Sequence, residues 1–410
     1  MIESLGQNPP NPPTSQNLAL STALEALLAP SRFPARPSGA SALSLELLAT
    51  LTRGDVAYCR AFGLTATNLE TWVTAQARWI QTWGTAFAEV WAETCHRDPM
   101  RDRGWLVNLW RLWLPLAEQL QRKQQQKQAP WVQGILGVQG TGKTTLGILL
   151  SWILERQGLG VVSLSLDDLY KTHADRQALQ AQEPRLRWRG PPGTHDVALG
   201  IQVLDQLRST PRPSSLTSAT LNPESIPESS RPDSQILTSP KPQPIELPRF
   251  DKSLWHGSGD RIAPEPVWGA DIILFEGWCV GMRPLPGEAL APLCAWQFSD
   301  ADYGFAAWCN DRLQDYLPLW DRLDALLILA PQDYRWSLTW REEAEAQLRH
   351  TGQGAMSSDA VAEFVRYFWT ALHPQLFLPP LLTDPTTNLV VEVAFDRSLG
   401  RIYRPKGSMV

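Results

Sequence analysis

The sequence predicts an α/β fold: a mainly parallel sheet of five or more strands flanked by helices, preceded by a tryptophan-rich helical unit. Three observations carry this. From Trp131 onward, short apolar runs alternate with helical segments, the pattern of strands covered on both faces. A glycine-rich turn, "GVQGTGKTT", stands between one such run and a helix. Upstream of both, tryptophans recur at helical spacing.

Residues 1–42 are rich in Pro, Ser and Ala and are expected to be loose, apart from a short helix around "NLALSTALEALL". Residues 43–128 read as the helical unit. In 66–95, Trp72, Trp79, Trp83, Phe87 and Trp91 fall at sevens and fours, with Thr67 or Asn68 as the cap. A second helix carries Trp105, Leu109, Trp113, Leu116 and Leu120 on one stripe. Aromatics at this spacing serve core or interface packing rather than a ligand. The run "RKQQQKQ" at 122–128 reads as a solvated helix end or linker. Residues 129–410 form the α/β domain, with strands expected in "WVQGILGV", "GVVSLSL", "DIILFE", "DALLILA" and "NLVVEVA". Between them, 209–244 is crowded with Pro and Ser and predicts a disordered surface insertion.

Composition excludes several classes. The chain is 43% hydrophobic and 19% charged, as expected of a soluble globular protein of about two folding units. A net charge of −5 without a basic stripe argues against nucleic acid. No apolar run approaches the length of a membrane span, and the first residues lack a secretory pattern. Five cysteines with no CxxC pair fit free thiols in a reducing compartment, hence the cytoplasm, or the chloroplast stroma if the source is a plant or alga. His96, His173, His256, His350 and His373 show no metal-ligand spacing.

The glycine turn fits G-x-x-x-x-G-K-[ST] at Gly137, Gly142, Lys143 and Thr144, with Gly140, Thr141 and Thr145 completing an ATP-binding loop. Its glycines let backbone N–H groups converge on phosphate oxygens at a helix start. Lys143 is placed to reach the β and γ phosphates, and the Thr144 hydroxyl to bind Mg²⁺. No N-K-x-D reads guanine, and no helicase-type element is present. The next strand, in "SLSLDDLY", ends instead in Asp167 and Asp168. A kinase acting on a hydroxyl needs a carboxylate to orient it and take its proton. The two alternate in direction if the strand persists, so one should dominate; "DD" alone reads as a strand end or helix cap. "DIILFEGW" delivers Glu276 at a strand's carboxyl end, where it can serve the metal shell or pair with an arginine.

Taken together, "GVQGTGKTT", "SLDDLY", "RWRGPPGTHD", "PRFDKSLWHGSGDR", "LFEGW" and "WREEAEAQLR" resemble the D-glycerate 3-kinases, relatives of phosphoribulokinases and uridine kinases. The resemblance spans roughly residues 130–395. It implies ATP- and Mg²⁺-dependent phosphorylation of D-glycerate to 3-phosphoglycerate, the last step of photorespiratory glycerate recovery in photosynthetic organisms. Asp167 matches the family's base. Arg341 falls where relatives carry a lid arginine, although the usual W-R-L-Q reads "WREE" here. A hydroxy-acid substrate calls for cationic and hydrogen-bonding groups. Arg187, Arg189, His195, Arg249, Lys252 and Arg261 are the candidates, with Lys252, Arg261 and His195 preferred and Arg189 and Asp168 in support. A monomer is expected. The alternatives are a phosphoribulokinase-like or uridine-kinase-like enzyme, or a nucleotide-dependent regulator whose helices bind a partner.

Overall fold

The protein was analysed as a computed structural model, which describes residues 15–28, 39–210, 212, 243–296, 298–350 and 356–405. Most of the Pro/Ser-rich stretch 209–244 lies outside these residues.

Eight strands are present among them: β1 (Trp131–Gly137), β2 (Val161–Ser165), β3 (Ile245–Asp251), β4 (Asp260–Val267), β5 (Ile272–Gly277), β6 (Ala325–Pro331), β7 (Thr387–Val393) and β8 (Leu399–Tyr403). Six form one sheet in the order β2-β5-β1-β6-β7-β8. The first five are parallel and β8 runs antiparallel at the edge. Strand β5 is buried along its whole length and β1 along all but its first residue, which is why both read as mostly apolar runs. The chain leaves β1 at the sheet's centre and goes next to the far edge, β2. The carboxyl ends of β1, β5 and β2 therefore lie side by side, where open α/β sheets bind ligands.

Strands β3 and β4 form a separate antiparallel hairpin. Prolines mark its sequence. Pro248 coincides with a shift of register in β3, and Pro264 and Pro266 sit in the exposed β4, positions where a missing N–H is tolerated.

The helical unit shares its core with the sheet domain. The helix Leu69–Cys95 buries Trp72, Ile80, Phe87 and Trp91. Asn68 precedes it without capping it by side chain; its amide instead accepts from the Thr65 N–H and donates to the Gly63 carbonyl. Trp79, Trp83 and Phe87 meet Trp152 edge-on, at centroid distances of 6.2, 6.3 and 5.6 Å. Trp152 belongs to the helix Lys143–Arg156 at the exit of the glycine turn. The aromatic stripe is thus one contact between the two units.

The second helix is not regular. Gly104–Asn108 and Leu114–Lys127 are joined by a π-turn over Leu109–Trp113, closed by the Leu114 N–H donating to the Leu109 carbonyl. Pro115 has no N–H to continue an α-ladder and crowds the carbonyl four residues back, which accounts for the widening. The short helix expected around "NLALSTALEALL" is present as Ser15–Leu28. It buries Leu20, Leu24 and Leu27, because an apolar face beside the long aromatic helix is worth covering. No helix among the described residues is long and apolar enough to cross a membrane.

Candidate active site

The glycine turn connects β1 to the helix Lys143–Arg156. Gly140 and Gly142 lie at φ +80° and +88°, in the left-handed region. Gly140 is constrained twice, since a Cβ there would stand 2.4 Å from Cβ of Trp340. The turn holds its own shape: the Thr141 hydroxyl donates to the Val138 carbonyl at 2.8 Å, and Lys143 Nζ reaches the same oxygen at 3.3 Å. Burial lowers the Lys143 pKa, opposed by the negative charges of Glu276 and Asp167. Asp167 therefore lies within electrostatic reach of Lys143.

At the end of β5, the register pairs Glu276 with Ile135 of β1 and Ser165 of β2. Its carboxylate accepts from the Thr144 hydroxyl at 3.0 Å. Two hard oxygen donors thus meet at the first turn of the helix. Among the described residues no cluster of three or more His, Cys, Asp or Glu is arranged to hold a metal. A hydroxyl and one carboxylate is the donor set Mg²⁺ uses when phosphates and water complete its shell, so these residues fit that ion.

Asp167 and Asp168 do not alternate along a strand. Strand β2 stops at Ser165, and Leu166–Leu169 is a single 3₁₀ turn. Ser165 and Asp168 form a reciprocal cap: the Ser165 hydroxyl accepts from the Asp167 N–H, and Asp168 accepts from the Ser165 N–H. Asp168 also pairs with Arg249 at 3.0 Å. Its carboxylate is occupied by the backbone and by β3, unlike the substrate contact expected for it. Asp167 takes a different set. It accepts from Lys252 Nζ at 2.6 Å and from the Tyr170 hydroxyl at 2.8 Å. Burial pushes its pKa up, but the Lys252 ammonium and the two hydrogen bonds win and hold it at about 2.

The "GPPGTHD" segment forms a tight loop beside this carboxylate. Gly190 lies at φ +125°, its N–H donates to the Thr194 hydroxyl, and its carbonyl accepts from Trp278 Nε1. His195 is 2% exposed and stacks on Tyr170, with ring centroids 4.7 Å apart. Burial drives its pKa down to about 3, so the ring is neutral. Its Nδ1 lies 2.7 Å from the Tyr316 hydroxyl, and its Nε2 is buried with no partner.

The four other expected substrate or lid arginines are tied into the scaffold, Arg187 through a pair with Glu363. Arg261 donates to the Tyr170 carbonyl and pairs with Asp196, which caps the helix Val197–Ser209. Arg189 donates to the Gly257 carbonyl at the hairpin tip. Arg341 pairs along its own helix, Trp336–His350, with the buried Glu345. The arginine that touches the glycine turn is Arg397, which the sequence did not single out. It donates to the Gly140 carbonyl at 3.1 Å and pairs with Glu343, one of the two extra acids of "WREE". Tyr170, Tyr316 and Arg397 are the site's additions. Tyr170 stands just past the "DD" pair, while Tyr316 and Arg397 carry no local pattern.

No family model matches the chain. An uncharacterized kinase, mug58, of Schizosaccharomyces pombe is 30% identical over 261 residues, 61% of this chain and 82% of the relative. The chloroplastic D-glycerate 3-kinase of Arabidopsis thaliana is 30% identical over 281 residues, 66% of this chain. The match spans about half of that plant protein, 54% of its length. The solved D-glycerate 3-kinase of Cryptococcus neoformans superposes over 72% of this chain and 99% of its own, with a TM-score of 0.58 and 26% identity.

The chain belongs to the D-glycerate 3-kinase family. Within this family's fold, the helical unit before β1 and the hairpin β3–β4 frame the phosphate turn from opposite sides of the sequence.

Proposed function

We propose that this protein transfers the γ-phosphoryl group of ATP to the 3-hydroxyl of D-glycerate, giving 3-phosphoglycerate and ADP. One observation carries the reading: Asp167, just past the end of β2 and within electrostatic reach of Lys143, is ionised and held by Lys252 and Tyr170. A switch or motor has no use for an ionised carboxylate set to receive an acceptor's proton; a kinase does.

The turn over Gly137–Thr145 grips the nucleotide through backbone N–H groups at a helix start, with Lys143 on the β and γ phosphates. Thr144 and Glu276 would hold Mg²⁺, which would neutralise phosphate charge. Asp167 orients the acceptor hydroxyl. As its oxygen bonds to the γ-phosphorus and the bond to the bridging oxygen of ADP breaks, the proton passes to Asp167. Lys252 faces both carboxylate and acceptor, and His195 offers a buried polar atom to the substrate. For Arg341 to close over phosphates it must leave Glu345, so in this reading it acts only on closure. The protein works as a monomer in a reducing compartment, consistent with free Cys59, Cys95, Cys279, Cys294 and Cys309. In a photosynthetic organism the reaction belongs to photorespiratory glycerate recovery.

A coupled ADP-release assay with D-glycerate, L-glycerate, ribulose 5-phosphate and uridine tests the substrate. D-glycerate should drive turnover. ADP formation with ribulose 5-phosphate or uridine while glycerate is inert overturns the assignment. Asp167→Asn should lower kcat by about 10²–10⁴-fold with nucleotide binding kept.

A further inference from the structure

We infer that Tyr316 fixes the tautomer of His195, and that His195 thereby donates an Nε2–H hydrogen bond to the 2-hydroxyl oxygen of the acceptor. This rests on the glycerate reading above.

The argument is a count of hydrogens. Tyr316 is fully buried, and its hydroxyl oxygen accepts from the Gly193 N–H at 3.0 Å. The same oxygen stands 2.7 Å from Nδ1 of His195. A phenol has one hydrogen to give. If Nδ1 carried the imidazole proton, the oxygen would accept twice and the phenolic hydrogen would be left without an acceptor in a dry interior. Reversing the bond satisfies both the hydroxyl and Nδ1: Tyr316 donates to Nδ1, and the proton of the neutral ring resides on Nε2. That N–H is then a buried donor with no partner among the described residues. Buried donors are seldom left unpaired, and one that is calls for an acceptor from outside the chain.

Where the donor lies decides what it meets. The His195 ring stacks on Tyr170, and Tyr170 itself donates to Asp167. His195 feels the charge of Asp167 without bonding to it. The free N–H is thus carried by a ring stacked on the tyrosine that bonds this carboxylate, and the oxygen on the carbon next to the reacting hydroxyl is its acceptor in this reading. A neutral donor suits a hydroxyl; a carboxylate is better met by cations. The loop is rigid enough to impose this, since Thr194 bonds within it and Trp278 fastens it.

Two measurements on the full chain test the inference. In protein labelled with ¹⁵N-histidine, long-range ¹H–¹⁵N correlation of His195 should show a protonated Nε2 and an unprotonated Nδ1, and Tyr316→Phe should disturb that pattern. The opposite tautomer in the unmodified protein overturns the inference, whatever the substrate proves to be. In kinetics, His195→Ala should lower kcat/KM for D-glycerate by about 10–100-fold, leave the KM for ATP unchanged, and be partly rescued by His195→Gln, which keeps an N–H. With 3-hydroxypropanoate, which lacks the 2-hydroxyl, His195→Ala should cost no more than about twofold. Equal losses on both acids overturn the hydroxyl assignment. Turnover of neither acid by the unmodified protein also overturns it, together with the glycerate reading, while the tautomer is still judged by the nitrogen signals.

Discussion

Asp167 is a weak base while Lys252 holds it and becomes a stronger one if that ammonium moves toward substrate. Its pKa is depressed to about 2. The stability it contributes is therefore present above the ordinary carboxylate range and is lost only as pH falls through the folded value. Protonation of Asp167 accordingly does not limit the unmodified enzyme near neutral pH. Lys252→Met removes the first-ranked force opposing burial, so the carboxyl pKa should rise and the acid limb of the kcat/KM profile should move to higher pH. Profiles from about pH 4 to pH 9 on both proteins check this; an unmoved limb rules it out. The pair Asp167–Asp168 also marks how far residues can be read from sequence. Both are visible there as carboxylates at a strand end. Which one is left free of backbone and Arg249 depends on the strand stopping at Ser165 and on Arg249 arriving from a segment 81 residues away. No local pattern carries that information. The same holds for Tyr316, whose partner His195 lies 121 residues upstream.

The five parallel strands are legible as elements because burial on both faces leaves an apolar run that survives in one sequence. The hairpin β3–β4 and the edge strand β8 are not. Their burial is partial or alternating, and prolines inside β3 and β4 argue against a strand until an edge is recognised. The loop before His195 is similar: its glycines are visible, but not what crowds them. A Cβ on Gly190 would come within 2.2 Å of Phe368 Cζ, at a φ of +125° that a side chain rarely adopts. Gly190→Ala should therefore destabilise the protein by roughly 1–3 kcal/mol and raise the KM for glycerate more than that for ATP. Thermal unfolding together with the two KM values decides it.

Across the whole molecule, the helical unit and the phosphate turn are joined by one short path. Arg111, presented by the π-turn, donates to the carbonyls of Leu399 and Gly400 at 2.8 and 2.9 Å. Those residues close the β7–β8 turn, whose Arg397 holds the Gly140 carbonyl. Arg111→Met leaves both carbonyls without their charged donor. It should lower stability by about 1–3 kcal/mol and raise the KM for ATP severalfold, with the KM for glycerate unchanged. An unchanged KM for ATP breaks the path. The aromatic periodicity foretells that the helices pack on something, but a connection over 288 residues of sequence lies beyond any window. A last consequence belongs to the hairpin. In the proposed reading phosphate handling centres on the ends of β1 and β5, whereas Lys252 hangs from a ribbon outside that sheet, fastened by Arg176 to Ser258 and Gly259 and by Arg189 to Gly257. Energy source and clientele are thus inherited on separate pieces of chain. Grafting a different ribbon tip onto this scaffold is the economical way for evolution, or an engineer, to change which alcohol is served while the ATP machinery stays as it is.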